Sequence, residues 1–152
     1  MTVFIFSRPI RSGKTTDLLA WSRGGADVRG IAMPDYNGER HFEDLATGER
    51  WSATAGTETD LLPAGPFRFS KEAFAKAARR LELPEGGWLI VDEIGKLELE
   101  GKGFANALER VIADGAGTDF KLLLVVRDTL LEKVCSRFGL GDARVLHELG
   151  AL

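Results

Sequence analysis

VFIFSRPIRSGKTT, from Val3 to Thr16, is the stretch on which the fold turns. Val3 to Ser7 is short, apolar and without alternation, the pattern of a strand buried on both faces. Helical spacing begins with Thr16, Leu18, Leu19 and Trp21, and Gly24-Gly25 ends it. Between strand and helix lies Ser7-Arg8-Pro9-Ile10-Arg11-Ser12-Gly13-Lys14-Thr15-Thr16, the context that a phosphate-cradling turn requires. Gly13 lets backbone approach phosphate oxygens, and the first amides of the helix point at an anion. Lys14 would reach the terminal phosphates, the Thr15 hydroxyl would ligate Mg²⁺, and the Thr16 hydroxyl could contact an inner phosphate. Read alone, Ser12 to Thr15 also suits an ordinary strand-to-helix turn.

The full phosphate-loop pattern is G-x-x-x-x-G-K-[ST], and its first glycine position is Arg8 here. Two readings stand. Arg8 disturbs the loop if that position needs positive φ, or Arg8 and Arg11 add positive charge for a triphosphate.

Outward from this stretch, short apolar runs alternate with amphipathic ones. Val28 to Pro34 reads as a second strand, and Glu39 to Ala55 as a β-hairpin with Thr47-Gly48 near its tip. Gly56 to Pro66 reads as a loop rich in Gly, Thr and Pro. Ser70 caps a helix over Lys71 to Leu83 whose stripe is Phe74, Ala77, Ala78 and Leu81. Trp88 to Val91 is a buried strand running into Asp92-Glu93. A helix from about Gly103 to Asp114 carries Phe104, Leu108, Val111 and Ile112 on one face. Lys121 to Val126 is the most apolar strand; Thr129 to Phe138 is a short helix and Arg144 to Leu149 a last strand. Buried strands alternating with helices imply an α/β fold, a mostly parallel sheet with helices on both faces. The hairpin near residues 39–55 is the antiparallel departure.

The chain has 152 residues, enough for one domain with its own core, so 1–152 is read as a single nucleotide-binding domain. Lys and Arg number 20 against 23 Asp and Glu, a net charge of −3 with no single-sign block. That balance argues against sequence-independent nucleic-acid binding. The lone Cys135 excludes an intrachain disulfide and a Cys-rich metal site. No apolar run approaches a membrane span, and Met1 precedes Val3 without a basic leader, so the cytoplasm is the expected location. His41 and His147 lie far apart with no zinc-site spacing and read as ordinary polar residues. Tyr36 and Trp51 are candidates for stacking on a base, although Trp51 also suits strand packing.

Asp92 ends a buried strand in a chain with a phosphate loop, a placement that holds Mg²⁺. Glu93 follows and is the candidate to activate the attacking water. Without the upstream turn, both would read as turn or cap carboxylates. In the P-loop division with an added strand and a catalytic glutamate, the strand after the acidic one inserts between it and the loop strand. Here that strand is Lys121 to Val126, so Arg127 at its tip is a candidate γ-phosphate sensor or cis arginine finger; the alternative is a solvated arginine capped by Asp128.

With VDEIGKLEL at Val91 to Leu99, GIAMPDYNGER at Gly30 to Arg40 and DLATGE at Asp44 to Glu49, the chain resembles the cancer-related nucleoside-triphosphatase family, also known from thermophilic bacteria. The resemblance implies a three-layer P-loop NTPase fold. It implies hydrolysis of nucleoside triphosphates to diphosphate and phosphate, with Mg²⁺ and broad base tolerance. It also implies Gly13, Lys14, Thr15 and Thr16 for phosphate, Asp92 for metal and Glu93 for water. Lys96 matches a family lysine and either pairs with Glu98 or approaches the nucleotide. Family members have glycines where this chain has Arg8 and Arg11.

Three other classes compete. A small P-loop kinase would close an Arg-rich lid, and the mobile candidate Gly56 to Arg68 carries one Arg. A GTP switch matches D-x-x-G at Asp92 to Gly95, but the chain has no N-K-x-D. A binding module with negligible turnover is motivated by Arg8 and Arg11.

Overall fold

The computed structural model describes residues 1–24, 27–54, 61–64 and 67–152. In chain order the elements are β1 (Thr2–Arg8), α1 (Lys14–Ser22), β2 (Val28–Ala32), β3 (Asp35–Tyr36), β4 (Glu39–Asp44), β5 (Arg50–Ser52), β6 (Leu61–Ala64) and β7 (Phe67–Ser70). They continue with α2 (Lys71–Ala78), β8 (Trp88–Asp92), α3 (Lys96–Leu99), α4 (Ala105–Gly115), β9 (Lys121–Arg127), α5 (Leu131–Phe138) and β10 (Arg144–Leu146). Short 3₁₀ turns occupy Asp128–Leu130 and Leu149–Ala151.

The main sheet runs β10-β1-β9-β8-β2-β4-β3, with β5 on β4. From β10 to β2 every pairing is parallel, and β4 joins β2 antiparallel. β9 lies between β1 and β8, the insertion that the P-loop reading required. Its register sets Arg8 opposite Arg127 and Asp92 opposite Val125, so the loop after β1 and the carboxylates after β8 emerge from the same edge.

Side chains alternate across this sheet, as strand geometry dictates. Phe4, Phe6, Ile90, Leu123 and Val125 pack with Leu18 and Leu19 of α1 on one face. Ile5, Leu89, Val91, Leu122 and Leu124 pack on the other with Phe74 of α2, Leu108 and Val111 of α4, and Val134 of α5. Burial on both faces explains why these strands read as unbroken apolar runs.

The hairpin expected at 39–55 is β4–β5, with Gly48 at φ 79° in its turn. Ala55 lies outside the described residues. Three local expectations need correction. The segment 56–66, expected as a loop, contains β6, which pairs antiparallel with β7. Pro63 disguised it; a two-stranded sheet has edges on which proline is tolerated. The rest of that segment lies outside the described residues, as does most of the expected kinase-lid candidate. The helix capped by Ser70, whose hydroxyl accepts from the Ala73 amide, ends at Ala78 rather than Leu83. Its last turn tightens into i→i+3 bonds, Arg80 N–H to Ala77 O and Leu81 N–H to Ala78 O, ahead of Pro84, which disfavours helix at Leu83. Third, the last strand, expected over Arg144 to Leu149, ends at Leu146 and gives way to a 3₁₀ turn at Leu149–Ala151.

Candidate functional site

The loop after β1 takes its shape from two left-handed residues, Arg11 at φ 58° and Gly13 at φ 81°. Gly13 is the N-cap of α1. Arg8 is instead a strand residue in register with Arg127, so its backbone does not disturb the turn. Its side chain leaves the loop, pairs with Asp17 of α1 and lies over the Phe6 ring at 4.8 Å. Arg11, Ser12, Gly13, Lys14, Thr15 and Thr16 line one wall of a cleft of about 530 Å³; Arg8 does not.

Lys14 starts α1 and is only 7% exposed. Its ammonium folds back across the loop to donate to the Pro9 carbonyl at 2.9 Å. Burial lowers the Lys14 pKa, and the nearby carboxylates of Glu93 and Asp92 partly offset this. Asp92 is fully buried at the end of β8. One oxygen, Oδ2, accepts from the Thr15 hydroxyl at 2.9 Å and the Met33 amide at 3.0 Å. Its Oδ1 is buried with no hydrogen-bond partner. Burial, reinforced by Glu93, raises the Asp92 pKa to about 6. The structure thus brings Thr15 and Asp92, far apart in sequence, into direct contact. Glu93 follows through a cis peptide bond and lines the cleft beside Lys14.

Ser7 Oγ, Arg8 Nε and Arg127 Nε are likewise buried without hydrogen-bond partners. With Asp92 Oδ1 they gather at the carboxyl ends of β1, β9 and β8, where open α/β sheets bind ligands. Arg127 stands at the tip of β9 but outside the residues that line the cleft.

Met33, Pro34, Asp35, Tyr36 and Arg40, from the segment after β2, from β3 and from β4, also line the cleft; of these, only Tyr36 was a candidate from the sequence. Their signal was GIAMPDYNGER following a buried strand toward the loop edge. Tyr36 therefore reaches the cleft, whereas Trp51 does not: its Nε1 donates to Ala73 O, and it packs on Phe42.

Glu98 was also missed as a buried group. It is 3% exposed and accepts from the Gly95 amide at 2.8 Å and the Phe104 amide at 2.9 Å. Burial raises its pKa to about 7 against the lowering effect of those bonds. It therefore braces the turn after Glu93 instead of pairing with Lys96, which is exposed and outside the cleft lining. His41 and His147 bond to the backbone oxygens of Glu39 and Ser7. Among the described residues no cluster of three or more His, Cys, Asp and Glu side chains could hold a metal ion, and no helix is long and apolar enough to cross a membrane.

No family model matches the chain, and no curated protein matches it in sequence. Among solved structures it is similar to THEP1 from the hyperthermophile Aquifex aeolicus, with 20% identity and a TM-score of 0.65, over 97% of this chain and 90% of that one. That likeness and the strand order together establish the fold: an α/β architecture like that of THEP1, with a mostly parallel sheet and antiparallel hairpin insertions.

Proposed function

We propose that this chain is a Mg²⁺-dependent nucleoside triphosphatase that acts as one domain over 1–152 and tolerates different bases. The observation that carries the reading is the Thr15–Asp92 hydrogen bond, formed beside a cleft that Lys14 and Glu93 share. The likeness to THEP1 and the resemblance of SGKTT and VDEIGKLEL support it.

The residues fit a hard cation. Asp92 Oδ1 is a buried carboxylate oxygen with no hydrogen-bond partner, next to the Thr15 hydroxyl. A site with so few protein ligands suits Mg²⁺, which keeps waters and takes substrate phosphates as ligands. When bound, Mg²⁺ would neutralise charge on the β- and γ-phosphates.

Amides from Arg11 to Thr16 would cradle the phosphates at the N-terminus of α1. Lys14 would exchange the Pro9 carbonyl for phosphate oxygen. Burial lowers its pKa from the usual 10.5, and the carboxylates of Glu93 and Asp92 work against that lowering. Glu93 would orient a water and accept its proton as the oxygen attacks the γ-phosphorus. The bond from that phosphorus to the bridging oxygen breaks, and diphosphate and phosphate leave. Arg127 would supply positive potential from the β1–β9 side.

The test is phosphate release from ATP, GTP, CTP and UTP, with Mg²⁺ and with EDTA. Glu93→Gln should retain nucleotide binding and lose roughly 10²- to 10⁴-fold in kcat, the scale of a lost general base. Unchanged turnover would remove Glu93 from the mechanism. Binding without release in wild type would favour the non-hydrolysing module, and release only with an added acceptor would favour the kinase.

A further inference from the structure

Three arginines line the cleft: Arg11, Arg23 and Arg40. Arg23 pairs with the buried Glu43 at 3.3 Å, and Arg40 is held by the Met33 carbonyl and by Asp35. Arg8, where the loop begins, is tied to Asp17 and lies outside the lining. Arg11 differs from all of them. Among the described residues it makes no hydrogen bond, ion pair or ring contact, and it is exposed. Arg11 and Lys14 are the two cations that the phosphate loop presents to the cleft.

The backbone disfavours an arginine at this residue. Arg11 stands at φ 58°; the other non-glycine residue with positive φ among those described is Asn37. Asparagine visits the left-handed region readily because its short polar side chain bonds locally, and glycine enters it without steric cost. Either would serve a loop that needs only the shape. Arginine has neither property, and nothing its side chain touches in the protein offsets the cost. An outlier of this kind on the wall of a cleft points to a ligand as the missing partner, and for a guanidinium that ligand is an anion.

We infer that Arg11 is an arginine finger built into the phosphate loop: its guanidinium closes on the terminal phosphate of a bound nucleoside triphosphate, a role that the sequence offered to Arg127. The inference rests on the triphosphatase reading. Arg127 stands outside the cleft lining, whereas Arg11 shares the cleft with Lys14, Thr15 and Glu93. A guanidinium offers five N–H donors in a plane, a match for several phosphate oxygens at once. When the bond from the terminal phosphorus to the bridging oxygen breaks, its electron pair passes to that oxygen on the diphosphate. Arg11 would donate hydrogen bonds to the oxygens on which charge builds and would keep all its protons; the proton of the attacking water goes to Glu93.

The experiment measures kcat and KM for ATP with Mg²⁺, calorimetric binding of ADP with Mg²⁺, and urea unfolding, in wild type, Arg11→Gly, Arg11→Asn and Arg11→Lys. Glycine and asparagine both accept the left-handed backbone, so their urea midpoints should stay close to wild type or above it. In both, kcat should fall by at least about 10²-fold, toward the scale of a lost arginine finger, while ADP affinity stays within about threefold. A residue that only shaped the loop would show no such loss in a variant that keeps the fold. Arg11→Lys keeps the charge without the planar fork and should recover only part of the turnover. A kcat loss below about tenfold in both neutral variants would overturn the inference and leave the triphosphatase reading intact. A loss of ADP affinity as large as the loss in kcat would do the same, since Arg11 would then hold phosphate in general. A wild type that binds ATP and releases no phosphate would overturn the triphosphatase reading, and the inference with it.

Discussion

Glu98→Gln should change how stability depends on pH, and the structure fixes both sign and size. Glu98 is buried and its carboxyl rises from an ordinary 4.5 to about 7. A folded-state value above the unfolded one means that the folded chain holds the proton more tightly. The stability due to Glu98 is therefore fully present below pH 4.5 and is lost as pH rises through about 7. The difference corresponds to about 3 kcal/mol across that window. The variant has no such titration. It also has a cost independent of pH, since one of the Gly95 and Phe104 amides then faces a donor instead of an acceptor, about 1–3 kcal/mol. The two effects oppose each other as pH rises. At pH 5 the variant should be less stable than wild type; by pH 8 it should be equal or slightly more stable. Asp92, which titrates near 6, is present in both proteins and cancels in the difference. Urea unfolding followed by tryptophan fluorescence at pH 5, 6, 7 and 8 measures the two curves. Parallel curves would refute the reasoning, because they would mean that Glu98 does not carry a raised pKa in the folded chain.

Gly103→Ala tests the same brace from the other side. At φ 59°, a Cβ at this position would stand 2.1 Å from Glu98 Oε2, so the carboxylate must leave the Phe104 amide; urea unfolding should show a loss of about 2–4 kcal/mol. Gly30→Ala, inside β2 at φ 118°, would put a Cβ 2.0 Å from the Ile90 carbonyl oxygen and break the β2–β8 register. It should cost more than about 3 kcal/mol, read as loss of soluble folded protein or a collapsed urea midpoint, and a change below about 1 kcal/mol would contradict the close strand approach.

What was legible in the sequence was whatever local pattern determines. Val3 to Phe6, Trp88 to Val91 and Lys121 to Val126 read as buried strands because both of their faces are covered, which removes alternation. The place of β9 followed from the strand order of the P-loop division with a catalytic glutamate, to which the loop and the acidic strand pointed. β6 was hidden because Pro63 is a breaker in most strands and is tolerated here only at an edge. Glu98 and the Met33–Arg40 wall were hidden for another reason. A glutamate three residues after a glycine looks solvated, and its burial depends on Phe104 and α4 closing over it. Arg40 reaches the cleft through the antiparallel pairing of β4 with β2, a long-range contact that its neighbours in sequence do not reveal.

The two arginines in the loop separate demands that the glycine pattern runs together. At residue 8 the backbone is extended and paired, so any residue is allowed there provided its side chain has somewhere to go. Arg8 goes toward Asp17 and over Phe6, and it fastens the end of β1 to the first turn of α1. At residue 11 the demand is conformational. A φ of 58° costs a non-glycine residue about 1 kcal/mol, and the loop keeps this shape because Gly13 supplies the second left-handed turn without penalty and Lys14 closes the loop onto Pro9. Residue 11 also lines the cleft, where a side chain that glycine lacks can meet an anion. The cost at Arg11 is thus set against a positive charge at the phosphate wall, whereas Arg8 acts on the scaffold behind it. A pattern search penalises only Arg8, whose backbone is unstrained; the strain lies at Arg11, a position the pattern leaves open.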